Sequence, residues 1–451
     1  MTSIDVFPDD VLLLIFDFCV SWVKNGRNKK GEIGAWQSLV HVCRRWRSIV
    51  FQSPRRLNLQ LYWSPKTAAL DVWPALPLII MGRNLSLGTD NVVAALGQSD
   101  RVGQVILNLE ASQSEDVLAA MQVPFPELTD LHLSSYKEAQ VVPDSFLGGS
   151  APRLRSLLLK YIPFPGLPKL LLSATRLVEL VVLQITHSGY ISPEAIVASL
   201  SVMPGLEELI LVFESPESCP DLESRIMPPP KRSILPALRE FHFEGITEYS
   251  EQVVTRIDTP QLHNMDMIFI NRIDFHCPQL AQFLNRTPSL IGQLSAVRVR
   301  FYDSTVYVRL HTWFSYLVNI HIRCGEPNQQ LSSVEQVFNS SYHPFSSVKK
   351  LCIDHKCPQL VWTIENTLWL ELLLPFTAAK RLYLSKEFAP CIAASLQVLV
   401  GDRIMDVLPS LEDIFVEDLE SSGAFRENIG QFIAARQLSN HPIAISRWFK
   451  F

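Results

Sequence analysis

Residues able to do chemistry in this 451-residue chain fall into few arrangements. Cys352, His355 and Cys357 are of the types that hold zinc. A structural zinc takes four such ligands, and no second Cys/His pair follows at finger spacing. None of the eight cysteines forms a Cys-x-x-Cys pair, and their density is far below that of a disulfide scaffold. Ordinary thiols are expected, with no metal and no cofactor. The segment Phe146-Leu147-Gly148-Gly149-Ser150 lacks the lysine of a phosphate-cradling loop and reads as a plain loop. No G-x-S-x-G elbow and no H-E-x-x-H helix occurs, so intrinsic catalysis has no candidate constellation. Sequons at Asn84, Asn285 and Asn339 carry little meaning without a secretory signal.

Charge recognition is the better prospect. Arg298 and Arg300 flank Val299, and His321 and Arg323 flank Ile322. Alternation of this kind puts each pair on one face of a strand. If the two strands are neighbours, the four side chains form one cationic patch. An acidic or phosphorylated peptide could meet it through bidentate guanidinium contacts. The alternative is a solvated face, with the cations paired to Glu244 or Asp266.

Strands to carry these residues are written in a repeat. The frame L-x-x-L-x-L, with other apolar residues allowed at its large positions, starts at Val102, Leu128, Leu154, Leu177, Leu206 and Leu238. It recurs at Leu262, Leu294, Leu317, Val348, Ala379 and Leu411, a mean interval of about 28 residues. That length suits one short strand and a returning helix. Helical stretches fill several intervals, among them 90–96, 115–121, 193–200, 250–257, 278–284, 334–338 and 427–435. Pro126, Pro152, Pro204, Pro236, Pro260 and Pro409 stand two places before their frames and stiffen the chain there. Strand and helix alternating at this period make a solenoid, with parallel strands inside and helices outside. The asparagine that commonly follows the strand in leucine-rich repeats is mostly absent, so another group must cap that turn.

Residues 1–60 read differently. Pro8 suits a first helical turn, and Asp9 and Asp10 suit the positive end of the helix dipole. Val11, Leu12, Ile15, Phe16 and Cys19 then build a broad apolar face. A polar loop over 24–31 follows. A second helix is expected from Ala35 to Pro54, with Trp36, Leu39, Val40, Cys43, Trp46, Ile49 and Val50 on its apolar side. Arg44, Arg45, Arg47, Arg55 and Arg56 form a basic cluster. It has no stacking aromatics, so solvated or bridging arginines are expected in preference to nucleic-acid contact. Leu57, Leu59 and Leu61 alternate like a short strand.

Composition gives enzyme chemistry no early support. The formal charge is -5, with 19% charged and 47% hydrophobic residues, which excludes a disordered chain and gives no general nucleic-acid footprint. Asp5, Asp9 and Asp10 oppose a signal peptide. The apolar stretch from Val11 to Val23 carries Asp17 and is too short for a bilayer span, so no membrane partner is expected. A soluble protein of the cytoplasm or nucleus is the expectation.

The segment VFPDDVLLLIFDFCV and, after a gap, WQSLVHVCRRWRSIVFQSPRRLNLQL resemble the F-box over residues 4 to about 54. Pro8, the Ile15–Phe16 pair and the Val42-Cys43…Trp46 core match, while Phe7 stands where leucine is usual. The insert over 24–34 is longer than in compact members. The whole chain is similar to the basidiomycete fungal F-box proteins with irregular leucine-rich repeats, in stretches such as DVWPALPL, PFPELTDL, VPDSFLGGSAPRLRSL and HSGYISPEA. The resemblance implies an α/β fold: a helical F-box domain over 1–60, a linking region and cap over 61–100, and a curved solenoid over 101–451. It also implies a non-catalytic substrate receptor of a ubiquitin ligase. Such a receptor binds a Skp-type adaptor and, through it, a cullin, and holds an unknown protein target on the solenoid. The alternative is a repeat scaffold, or an F-box–adaptor complex acting without a cullin. Phe7, Pro8, Val11, Leu12, Ile15, Phe16, Leu39, Val42, Cys43 and Trp46 match adaptor-binding or core-forming positions, and Pro8 and Phe16 are singled out for the contact. Arg298, Arg300, His321 and Arg323 are the candidates for target binding.

Overall fold

The computed structural model describes residues 7–25, 35–53, 61–63, 75–82, 88–219, 232–270, 277–291, 294–312, 316–339, 345–356, 366–399, 401–417 and 423–448. They belong to two compact units, Met1–Leu177 and Val178–Phe451.

The first unit opens with three helices, α1 (Asp9–Asn25), α2 (Ala35–Val40) and α3 (Arg44–Gln52). The single second helix expected from Ala35 is broken at His41–Cys43. Cys43 is extended and its Sγ accepts the N–H of Trp46, which starts α3. Arg47 Nε donates to the Val40 carbonyl at 3.0 Å and closes α2. Valines on both sides of His41 weaken the helix there, so side-chain caps win over continuation. The strands β1 (Leu61–Trp63), β2 (Leu78–Gly82), β3 (Val102–Leu109), β4 (Asp130–Ser135) and β5 (Ser156–Lys160) then form a parallel sheet in chain order. The helices Thr89–Leu96, Ala111–Ala120 and Leu167–Leu171 lie in this unit as well.

The second unit carries β6 (Glu179–Ile185), β7 (Glu208–Phe213), β8 (Ser233–Ile234), β9 (Glu240–Gly245), β10 (Ile257–Asp258) and β11 (Asn264–Phe269). After these come β12 (Ala296–Phe301), β13 (Thr305–His311), β14 (Tyr316–Arg323), β15 (Lys350–His355), β16 (Arg381–Leu384), β17 (Asp413–Glu417) and β18 (Ala444–Trp448). Its main sheet runs β6-β7-β9-β11-β14-β13-β12-β15-β16-β17-β18, and β8 pairs with β10 apart from it.

Every large position of the twelve frames is buried, from Val102, Val105 and Leu107 to Leu411, Ile414 and Val416. A recurring turn leads into the strands. The N–H of the first large residue donates to the carbonyl three residues earlier, as from Leu128 to Phe125, Leu206 to Met203, Leu262 to Thr259 and Leu411 to Leu408, at 3.1–3.2 Å. Pro126, Pro204, Pro260 and Pro409 take the second place of these turns, where the ring supplies the required φ. The next N–H crosses to the neighbouring repeat, as from Thr129 to Gly103, Arg239 to Glu207 and Glu412 to Lys380, at 2.8–2.9 Å. In place of the missing asparagine, the fully buried Gln330 donates Nε2 to the carbonyls of Tyr302 (3.0 Å) and Cys324 (2.9 Å).

One region departs from the expected parallel stack. The frames at Leu294 and Leu317 are separated by an antiparallel strand, β13, where a helix or loop was the expectation. β12 pairs antiparallel with β13 and β13 with β14, while β12 is parallel to β15 and β14 to β11. Thr305-Val306-Tyr307-Val308-Arg309-Leu310-His311 alternates buried and half-buried, as a strand with one covered face must. The Tyr302 N–H donates to the Thr305 carbonyl at 2.8 Å and closes the first hairpin. The sheet is therefore mixed, and its strand order is locally inverted.

Helices are linked through caps as well. Glu251, 2% exposed on the helix Thr247–Arg256, accepts the N–H groups of Gln279 and Leu280 at 2.7 Å, at the start of the helix Pro278–Asn285. Burial pushes its carboxyl up to about 7, with the two backbone N–H groups opposing and Glu248 adding to the rise. The folded state thus holds this proton more tightly than the unfolded chain. Its contribution to stability is complete below the usual value of 4.5 and is lost as pH rises through about 7. Glu251→Gln removes the titrating proton, although its NH2 group can no longer accept one of the two backbone N–H groups. Urea unfolding should show wild type losing stability relative to this variant between about pH 5 and about pH 8. A constant difference across that range would refute the assignment.

Candidate functional site

The first candidate surface lies on the N-terminal helices. Leu12 and Phe16 are fully buried and Trp46 is 8% exposed, with the Phe16 and Trp46 rings 4.7 Å apart. These three form the small core. Ile15, Leu39 and Cys43 are half-buried, and Pro8 is exposed. The outward apolar residues are Phe7 (45% exposed), Val11 (36%), Leu14 (60%), Phe18 (69%) and Val42 (58%). Spacings of four, three and four residues put Phe7, Val11, Leu14 and Phe18 along one stripe of α1 and its lead-in. Leu14 and Phe18 were not among the sequence candidates, although that spacing from Val11 was the available signal. Arg45 fixes the start of the stripe: its Nη2 donates to the Phe7 carbonyl at 2.7 Å and to Asp9 Oδ1 at 2.6 Å. Arg45 and Arg47 therefore bridge helices, whereas Arg55 and Arg56 lie outside the described residues.

The second candidate surface is the polar face of the second unit's sheet. Register sets its residues in rows. One row runs Glu244, Ile268, His321, Tyr307, Arg300, Asp354, and the next runs His242, Asp266, Asn319, Arg309, Arg298, Cys352, Tyr383, Phe415. β13 holds the Arg298/Arg300 pair apart from His321/Arg323, so the four candidate cations form two groups.

Each group has its own counter-charge. Asp354 is fully buried and is shared, with Arg298 Nε at 3.0 Å and Arg300 Nε at 2.7 Å. A second contact from Arg300, Nη2 to Oδ2 at 3.0 Å, makes that pair bidentate. The hydrogen bond to Asp354 raises the Arg300 pKa, against the opposing effect of burial. Arg323 reaches Glu244 at 2.6 Å. Asp266 sits between His242 Nδ1 (3.1 Å) and His321 Nε2 (3.8 Å), and the Tyr307 ring packs 4.1 Å from His321. Burial lowers the His321 pKa, Asp266 opposes this, and Arg309, His242 and Arg323 lower it further. Most of the charge expected to face a ligand is thus answered within the sheet.

The thiols and histidine of the zinc-like cluster do not converge. On β15, Cys352 and His355 are an odd number of residues apart and so lie on opposite faces of the sheet. His355 is buried against Phe388, with rings 5.5 Å apart, and Cys357 lies outside the described residues. Burial pushes the Cys352 thiol up to about 11, which keeps it protonated and unreactive. Among the described residues no helix is long and apolar enough to cross a membrane.

No protein-family model matches the chain, and no curated protein matches it either. Among solved structures it is similar to the leucine-rich repeat-containing protein LegL7 from Legionella pneumophila. The two are 13% identical over 82% of this chain and 98% of that one, with a TM-score of 0.26. The leucine-rich-repeat-like character stated for this chain rests on its own strand register, frame burial and repeated turns.

Asp354→Asn would leave two half-buried guanidinium groups facing one neutral amide. It should lower stability by about 3 kcal/mol in urea unfolding, the scale for removing one partner of a buried ion pair. Arg298→Leu should cost clearly less, because Arg300 still satisfies Asp354. Equal losses in the two variants would contradict the shared-carboxylate geometry.

Proposed function

We propose that this chain is a non-catalytic repeat scaffold that holds protein partners at two places: the apolar stripe of α1 and the polar face of the second unit's sheet. The stripe carries the proposal. Phe18 and Leu14 are 69% and 60% exposed beside Val11 and Phe7, at a spacing that gives a helix one continuous apolar edge. Exposed apolar edges of this kind favour docking against another protein's helices.

The finer reading takes the partner at the stripe to be a Skp-type adaptor, which the F-box resemblance of residues 4 to about 54 supports. If that adaptor recruits a cullin, the chain is a substrate receptor of a ubiquitin ligase. If it does not, the chain works in an F-box–adaptor complex. In either case its contribution is effective concentration, since it tethers a target without reacting with it.

Co-purification with the host's Skp-type adaptor and cullin tests both levels. Wild type is expected to capture the adaptor, and Leu14→Asp to lose it with an unchanged unfolding midpoint, because that side chain is 60% exposed. Phe16→Ala is unsuitable, since Phe16 is core and its loss would unfold the helices. Cullin in the wild-type complex supports the ligase receptor, and adaptor without cullin supports the alternative. A folded wild type that captures neither removes the adaptor reading. For the sheet face, a photo-crosslinking residue at the half-buried Ile268 should trap a protein partner, and absence of any crosslink there would remove that part of the reading.

A further inference from the structure

The two candidate groups of cations are internally paired, yet the same sheet face carries positive charge elsewhere. Register places His311, Ala296, Lys350 and Arg381 in one row across β13, β12, β15 and β16. Ala296 is the small member. On β12 its outward neighbours are Arg298 and Arg300, so a methyl group stands where the strand otherwise presents guanidinium groups. A cavity of about 290 Å³ opens over Ala296, with Ser295, His311, Lys349, Lys350, Lys380 and Arg381 around it. A second space of about 220 Å³ shares Ala296, His311 and Lys350 and is walled by Tyr383 and Trp448.

Carboxylates answer only part of this charge. Glu412 takes Lys380 at 2.6 Å, and Asp413 lies 3.8 Å from Arg381. Lys349 and Lys350 have no ion-pair partner among the described residues. Lys350 Nζ instead sits 4.5 Å from the centre of the Tyr383 ring. The field is felt at His311. Burial lowers its pKa, the Thr312 carbonyl opposes this, and Lys350, Arg298 and Arg309 lower it further.

We propose that this cleft binds a phosphorylated serine or threonine side chain of a protein target, with the adjoining Tyr383–Trp448 space taking an apolar residue beside it. The proposal rests on the reading that the sheet face binds protein and names the chemistry it selects. A phosphoryl group carries close to two negative charges and three acceptor oxygens, which suits two unpaired ammonium groups and a nearby guanidinium. The room over Ala296 exceeds the need of a phosphate, and a water's share of liquid is about 30 Å³, so the side chain can enter with bridging waters. Extended nucleic acid fits less well. Glu412 and Asp413 hold Lys380 and Arg381 at the cleft's rim, and the chain's formal charge is -5.

The test uses the full chain and a degenerate peptide pool with a fixed phosphoserine or phosphothreonine, against the same pool unphosphorylated and a single-stranded oligonucleotide. Fluorescence anisotropy should show a preference of roughly tenfold for the phosphorylated pool. Lys349→Gln/Lys350→Gln should abolish that preference. Ala296→Leu, which fills the cavity floor and removes no charge, should reduce it as well. Thermal unfolding of each variant confirms folding, and the exposed Lys349→Gln alone, with a partial loss, serves if either of the others misfolds. Equal binding of the two pools, no binding of either, or a preference untouched by these variants overturns the phosphate assignment. Stronger binding of the oligonucleotide than of the phosphorylated pool overturns it as well. The Ile268 crosslink reads the protein-binding face independently, so loss of phosphate selectivity with a retained crosslink separates the two failures.

Discussion

No strand in either unit can keep its large inward side chains dry by itself. The three apolar positions of each frame are covered only because the next strand lies alongside and presents its own three, and every further feature follows from that mutual cover. The crossing N–H groups, such as Arg239 to Glu207, lock the spacing, and the proline turns bring each chain segment in at the same angle. Helices close the other side, and groups such as Glu251 and Gln330 satisfy backbone atoms that the packing would leave dry and unpaired.

Against this uniform background, β13 changes which side chains can meet. In a strictly sequential stack, the strand bearing Arg298 and Arg300 would lie beside the one bearing His321 and Arg323. The hairpins separate them and bring β15 to β12 instead. Asp354 is thereby delivered to the two arginines, and Glu244 and Asp266 are left to Arg323 and the histidines. The same rearrangement sets His311 and Lys350 on either side of Ala296. Electrostatics and cavity both stem from one inverted pair of strands.

The apolar frames were legible because burial on one face leaves a fixed pattern that no tertiary detail overrides. The prolines were legible as stiffeners, and their place in the turn is the geometric form of that reading. The division between core and surface on α1 was legible only in part. Helical spacing sets Phe16 with Leu12 and Phe18 with Leu14, but which of the two stripes is covered depends on where Trp46 packs. The break at Cys43 left no glycine or proline to mark it. Thr305–His311 did alternate with period two, yet it holds no leucine frame and so escaped a search built on that frame. Asp354 stands 54 residues beyond Arg300, and nothing local joins them until the strand order is known.

That strand order also bears on how the array can assemble and how it can be altered. Ordinary repeats here pair Leu351 with Leu382, a short loop that neighbours can close one after another. At the hairpins the pairs are Met265 with Val318 and Val297 with Leu351, each about twice as far apart along the chain. β12 stays a bare edge until β15 arrives, and β11 stays one until β14 returns. The array therefore cannot grow past this point one unit at a time, and no single repeat can be excised from it without leaving an unpaired strand. In a class of proteins usually prized for being modular, this stretch of the chain behaves as an indivisible joint.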